Sequence, residues 1–326
     1  MLLSTATFAV LLAAAPSFIL PVSAASSKRG LVFTPNETSR ADDKIWVEKP
    51  TSLTWYYNYE SRPEPTYNDV SQSDFEFVPM MWGAPESIDD TSFLLSVQSL
   101  VKDQGINITN VLSFNEPDGP FVYGGSNMEP SAAAQIWVNN MIPIQKMGIR
   151  VGLPACTGGS SGLPWLQNFL SECSKLVSTE KNQQNCTYDF VTLHWYGNFE
   201  GLASHIGQYS AAFPNKTMWI TEYNINDQDL ETTQEFYNMS AEYFDRLEYV
   251  ERYSLFGAFR SDVSNVGPNG AMLSANGSLT DIGAWYLGRE ATGILPGSSS
   301  SAFRPVLPQM SFAALAALVA VTVLLT

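Results

Sequence analysis

Eight apolar runs recur along the chain, often separated by stretches whose apolar positions repeat with helical spacing. The runs are Gly30–Phe33, Leu53–Tyr57, Phe75–Trp82, Ile108–Phe114, Ile149–Pro154, Phe190–Tyr196, Met218–Glu222 and Tyr253–Phe259. Each reads as a strand buried on both faces, as parallel strands are. From Asp90 to Gly105 the residues Phe93, Leu94, Val97, Leu100 and Val101 form one helical face, and Gly105 is a natural stop. Pro130 opens a second helix that ends at Gly148. Leu163–Leu176, Asp229–Leu247 and Leu279–Leu287 read as further helices. Eight strands alternating with helices predict an α/β fold, a single (β/α)8 TIM barrel over residues 30–292. An open doubly wound sheet is the alternative. It wants a glycine-rich phosphate turn after an early strand, and none follows the first two runs.

In such a barrel the active site lies at the C-terminal strand ends. Two runs end in an acid there. Leu112-Ser113-Phe114-Asn115-Glu116-Pro117-Asp118 places Glu116 where strand four gives way to a loop, because proline cannot continue a ladder. Met218-Trp219-Ile220-Thr221-Glu222-Tyr223-Asn224 does the same for Glu222 at strand seven. Two carboxyls across one crater are what glycoside hydrolysis needs: one protonated acid for the leaving oxygen and one ionised partner for the sugar carbon. A single strand-end acid is more often merely solvated, so the pairing carries the reading. Trp55, Tyr57, Trp82 and Tyr196 lie near strand ends, where flat rings can stack on pyranose faces or simply pack the core. Asn58 and Asn224 are candidate partners for sugar hydroxyls. His194 shares a strand face with Tyr196 and either lines the site or is a hydrogen-bonded core residue.

The chain has 326 residues, 45% hydrophobic and 12% aromatic, ample for one large core. Acids outnumber bases 32 to 17, for a net charge of −15, which argues against a nucleic-acid partner. Only His194 and His205 are histidines, and no metal-binding or cofactor motif occurs, so no metal or cofactor is expected. Gly158-Gly159-Ser160-Ser161-Gly162 matches GxSxG, and a serine esterase would pair Ser160 with His205; in a Ser/Gly-rich loop such a match arises easily by chance.

The ends carry targeting signals. Residues 1–24 read as a signal peptide closing on Val22-Ser23-Ala24, and Lys28-Arg29 is either a dibasic processing site or a chance pair. Residues 293–309 read as a Ser/Pro spacer with a GPI attachment region, and 310–326 as the hydrophobic tail removed on anchoring; a tail-anchored helix is the alternative. Sequons at Asn36, Asn107, Asn185, Asn215, Asn238 and Asn276 fit the secretory pathway. Of three cysteines, Cys173 and Cys186 can close a short surface loop in an oxidising compartment. Cys156 then remains as a small buried thiol. These features predict a secreted glycoprotein held at the cell surface by a GPI anchor, and a monomer.

Asn115-Glu116-Pro117, His194-Trp195-Tyr196 and Ile220-Thr221-Glu222 resemble motifs of the clan of retaining (β/α)8 glycosidases. With their flanks (Ser113 to Asp118, Leu193 to Gly197, Trp219 to Asn224) they resemble glycoside hydrolase family 128, which is rich in fungal members and acts on β-1,3-glucan. The resemblance runs from about Gly30 to Leu287. It implies Glu116 as general acid/base, Glu222 as nucleophile, Asn115 on the sugar 2-hydroxyl and Tyr196 on Glu222. It also implies cell-wall β-1,3-glucan or its oligosaccharides as partner. A glucan-binding or wall-organising protein with a vestigial site is the other reading. Many clan members carry a tryptophan at the end of strand eight, where this chain has Phe259. The polar stretch Arg260–Asn269 that follows would wall one end of the cleft.

Overall fold

The computed structural model describes residues 26–35 and 39–298. The signal peptide, the sequon at Asn36, residues 299–309 of the spacer and the hydrophobic tail lie outside the described residues. Eight parallel strands appear in chain order: β1 Arg29–Val32, β2 Trp55–Tyr57, β3 Glu76–Phe77, β4 Asn110–Val111, β5 Arg150–Val151, β6 Val191–Tyr196, β7 Met218–Asn224 and β8 Val250–Leu255. Six of them form one sheet ordered β3-β2-β1-β8-β7-β6, and β4 pairs with β5. Parallel bridges join the two groups at both seams: Met80 with Leu112, then Gly152 with Phe190 and Cys156 with Leu193. The circuit is that of a (β/α)8 barrel.

Six α-helices follow the last six strands: α1 Ser92–Lys102, α2 Pro130–Lys146, α3 Gly162–Val177, α4 Phe199–Ala212, α5 Leu230–Arg246 and α6 Asp281–Tyr286. The first two connections carry only 3-10 turns, at Arg40–Trp46 and Pro65–Tyr67. Helix α4 has no counterpart among the helices read from sequence. Gly201 and Gly207 interrupt its pattern, and its start is set instead by Asn198, whose side chain accepts from Gly201 N at 3.1 Å. No helix among the described residues is long and apolar enough to cross a membrane.

Burial divides into two cores. The larger fills the space between strands and helices. The smaller is the barrel interior: Val32, Trp55, Tyr57, Val78, Met80, Leu112, Phe190 and Trp219. Its floor is closed by charge. Arg150 meets both oxygens of Glu251 at 2.8 Å, and Arg252 meets Glu76 at 2.5 Å while lying 4.3 Å over the Trp219 ring. This explains why β8 starts at Val250, three residues before its apolar run: Glu251 and Arg252 belong to the strand because they pair beneath the barrel.

Arg29 is the first residue of β1 and is 3% exposed, donating to Tyr253 Oη and to the carbonyls of Trp285 and Tyr286. Arg29 of the Lys28-Arg29 pair is thus part of the folded barrel. Cys173 and Cys186 are joined, with Cα atoms 5.4 Å apart, and Cys156 is a buried free thiol. Asn107, Asn185, Asn215 and Asn238 are exposed; Asn276 is half-buried, its side chain accepting from Ser274 and Ser278.

Candidate active site

Glu222 sits near the C-terminal end of β7, inside the barrel and 5% exposed. Each of its oxygens receives one phenol: Tyr59 Oη reaches Oε1 at 2.7 Å and Tyr196 Oη reaches Oε2 at 2.6 Å. Burial, reinforced by the charge of Glu222, pushes both phenols well above the usual tyrosine range. They therefore stay protonated and donate. Beneath them the Thr221 carbonyl accepts from Tyr57 Oη at 2.9 Å and from Ser254 Oγ, tying β7 to β2 and β8.

Glu116 leaves the end of the β4 run with φ of +40°. That region costs a non-glycine residue roughly 1–3 kcal/mol and persists only where the surroundings impose it. Here they do. Glu116 N donates to Ala155 O at 2.7 Å, and Glu116 O accepts from Gly119 N at 2.9 Å. Gly125 passes so close that a Cβ there would stand 2.3 Å from Gly119 O and 2.7 Å from Glu116 O. Asp118 pins the loop to the segment after β5, accepting from Thr157 N at 2.9 Å and from Thr157 Oγ1 and Ser161 Oγ at 2.7 Å.

His194 on β6 lies between the two acids. Its Nδ1 is 3.0 Å from Glu116 Oε1 and 3.6 Å from Glu222 Oε2, and its Nε2 is 3.0 Å from Thr221 Oγ1. Two carboxyl oxygens around Nδ1 call for a hydrogen on that nitrogen. Burial alone would lower the imidazole pKa, but the carboxylates of Glu222 and Glu116 outweigh it and the net displacement is upward. One atom from each of the three side chains falls within 4.8 Å of the others, so a carboxyl oxygen of Glu116 lies within 4.8 Å of one of Glu222. Such a trio could share a metal ion. The donor pattern fits proton chemistry better, since His194 and two phenols already direct hydrogens at the carboxyls.

Above the trio opens a cleft of about 700 Å³. Trp82, Val122, Tyr123 and Phe256 supply apolar walls, with Asn226 and Asn265 at the rim. Asn115 also lines it. Its Nδ2 donates to Gly124 O at 3.0 Å, whereas its buried Oδ1 has no partner. Asn115 thus lines the cleft and keeps one buried acceptor without a protein partner.

The structure thus brings Glu116, Glu222, Asn115, Trp82, His194 and Tyr196 together, and leaves four candidates outside. Trp55 opens β2 at the opposite end of the barrel, 1% exposed, its ring 5.1 Å from that of Trp219. Tyr57 is fully buried one layer above it. Neither can stack on a sugar, because the rings fill the barrel below its mouth. Asn224 is 1% exposed and spent on backbone, donating to Phe256 O and Gly270 O and accepting from Ile225 N. Asn58 is spent in the same way on Arg62 O and Glu60 N. At strand eight the ring facing the cleft is Phe256, edge-on to Tyr196 at 5.8 Å, and Phe259 packs behind it at 5.3 Å. Tyr59 is the Glu222 partner in the cleft lining that the apolar runs did not mark; it continues the Trp55–Tyr57 alternation beyond the strand, with φ of +62°. Ser160 is exposed on the turn before α3, and no hydrogen bond joins it to His205 among the described residues. His205 packs against Trp195 and Tyr209, and burial lowers its pKa to about 4.

Comparison with known proteins places this geometry. The family model described as "Glycosyl hydrolase catalytic core" matches residues 30–286. Alkali-sensitive linkage protein 1 of Schizosaccharomyces pombe is 29% identical over 274 residues, covering 81% of this chain; the chain spans 45% of that relative's length. Among solved structures, a family 128 (subgroup III) curdlan-specific exo-β-1,3-glucanase from Blastomyces gilchristii is 26% identical. Its TM-score is 0.60, over 81% of this chain and 99% of that one. A family 128 (subgroup VII) oligosaccharide-binding protein from Cryptococcus neoformans has 22% identity and a TM-score of 0.59, over 82% and 94%. The structures of family 128 proteins support the resemblance of its motifs to that family, and with the family model spanning nearly the whole barrel, the chain belongs to the glycosyl hydrolase catalytic core family.

Proposed function

We propose that the protein hydrolyses β-1,3-glucan with retention of configuration, Glu116 serving as general acid/base and Glu222 as nucleophile. One observation carries the mechanism: a carboxyl oxygen of each glutamate within 4.8 Å of the other. Retaining glycosidases hold their carboxyls about 5–5.5 Å apart, whereas inverting ones leave about 6.5–9.5 Å for a water. The substrate is supported by the likeness to a curdlan-specific exo-β-1,3-glucanase.

In the first step Glu116 gives its proton to the glycosidic oxygen while a Glu222 oxygen attacks the anomeric carbon. The C–O bond to the leaving sugar breaks, and a glycosyl ester forms on Glu222. In the second, Glu116 takes a proton from water, the water oxygen attacks the same carbon, and Glu222 leaves as carboxylate. Tyr59 and Tyr196 hold both oxygens of Glu222 in place, fixing its attack line. Asn115, whose Oδ1 has no protein partner, is assigned in this reading to accept from the sugar 2-hydroxyl. A secretory route and a GPI anchor, displaying the enzyme at a fungal cell wall, complete the proposal.

A second reading, oligosaccharide binding without cleavage, is favoured by the likeness to the Cryptococcus neoformans binding protein. Sugar release from laminarin and curdlan separates the two. The wild type is expected to release sugar, while Glu116→Gln and Glu222→Gln should each lose about 100-fold or more. Equal release by all three proteins would remove the carboxylates from the mechanism. Binding without release by the wild type would favour the second reading.

A further inference from the structure

We propose that the mouth of the barrel docks on the membrane surface that the C-terminal anchor enters, a neutral lipid headgroup layer, through an apolar rim on both sides of the cleft; this rests on the anchoring reading above. After α6 the chain stands at the floor, where Leu287 O accepts from Ser52 N at 3.0 Å and Arg289 Nε donates to Pro50 O at 2.8 Å, both partners lying just ahead of β2. It then climbs back along α6. Gly293 N donates to Asp281 Oδ1 at 2.7 Å, at the start of the helix. Pro296 O accepts from Ala275 N at 3.0 Å and from Ser261 Oγ, both in the segment after β8. Loops that follow barrel strands form the mouth, so the chain leaves the barrel beside the cleft. Residues 299–309 separate that exit from the apolar stretch 310–326. Eleven residues span at most about 40 Å even when fully extended.

The same end leaves apolar side chains in solvent. Of the nine exposed large apolar residues among those described, five lie there, between 51% and 82% exposed. Phe121, Val122 and Tyr123 form a turn after β4, and Val263 and Leu295 flank the chain's exit. The two groups face each other across the cleft: β4 and β8 are opposite in the eight-strand circuit, and Val122 and Tyr123 line the cleft together with Asn265 and Val266. The floor differs. It has Leu176 alone among the nine, at the end of α3, and closes in the ion pairs Arg150–Glu251 and Arg252–Glu76. Aromatic and aliphatic side chains beside a tether are what a bilayer interface takes up, and stable attachment to a membrane needs two such signals. A net charge of −15 favours a neutral headgroup layer over an anionic one. In that pose the cleft faces the bilayer, and a glucan chain reaches it from the membrane side.

The test uses the protein extracted from cells with its anchor and reconstituted in phosphatidylcholine vesicles that carry a fluorescence quencher in the acyl region. Cys156 is buried and Cys173 is joined to Cys186, so a thiol-directed fluorophore takes only an introduced cysteine. One is placed at the mouth by Val263→Cys and another at the floor by Asn107→Cys, where Asn107 is exposed ahead of β4. The mouth label should be quenched and the floor label should not. Val122→Asp combined with Leu295→Asp should strip most of the quenching from the mouth label with an unaltered thermal melt, because the interface gains when apolar area enters it and loses when charge does. Equal quenching of the two labels, stronger quenching at the floor, or quenching that survives the double substitution overturns the inference and leaves the anchor in place. Protein that fails to float with the vesicles overturns the anchoring reading, and the inference with it.

Discussion

Tyr59 Oη and Tyr196 Oη donate to one oxygen of Glu222 each, so the proposed nucleophile has no rotational freedom to lose when substrate arrives. Removing one phenol tests this. Tyr59→Phe deletes only an O–H, and a hydrogen bond to a charged group contributes roughly 1.5–3 kcal/mol. We expect kcat to fall about 10- to 100-fold. An unchanged kcat would mean that Tyr59 only packs. Tyr59 was hidden in the sequence for a physical reason. Trp55, Tyr57 and Tyr59 point into the barrel on one alternating face, as rings at successive heights. Alternation reports the face but not the height, and the apolar run ends at Tyr57. The sequence therefore indicates the right column of rings, while only the fold shows that the one at the mouth is the one that reaches Glu222.

At the scale of elements, the loop after β4 carries the strain and Asp118 holds it. Its carboxylate accepts three hydrogen bonds from Thr157 and Ser161, fastening the turn that holds Glu116 at positive φ. An amide offers one acceptor where the carboxylate offers two. Asp118→Asn should thus misplace Glu116 and lower kcat by up to about 100-fold, the scale of a 1 Å displacement, with KM little changed. A KM effect alone would assign Asp118 to substrate binding. The strands were legible because barrel strands are buried on both faces and read as unbroken apolar runs. The same double burial made Trp55 and Tyr57 look like cleft residues and Asn224 like a sugar partner, since nothing in a run separates its floor from its mouth. Helix α4 was illegible because glycine and small polar residues break its pattern. The acid pair was legible because proline and asparagine mark where the β4 run stops, and β7 ends in the same grammar.

For the whole molecule, the two ends of the barrel divide their tasks: the mouth holds the chemistry and the floor holds charge. Burial of Glu251 opposes its ionisation, but hydrogen bonds from Arg150, Trp219 and Thr217 outweigh it and hold its pKa at about 2, against 4.5 ordinarily. A carboxyl whose pKa is depressed on folding stabilises the fold above its unfolded value and loses that contribution as pH falls through the folded one. The melting temperature should therefore drop between about pH 4.5 and pH 2. Glu251→Gln should flatten the curve in that window, and an unaltered curve would contradict the assignment. The central claim concerns the mouth: two glutamates within reach of one anomeric carbon, acting by double displacement. Proton NMR of the first sugar released from a β-1,3-glucan oligomer, recorded before mutarotation, tests it most directly. The account predicts a β-anomer from the wild type and none from Glu222→Gln; an α-anomer, or a β-anomer undiminished in Glu222→Gln, would contradict it.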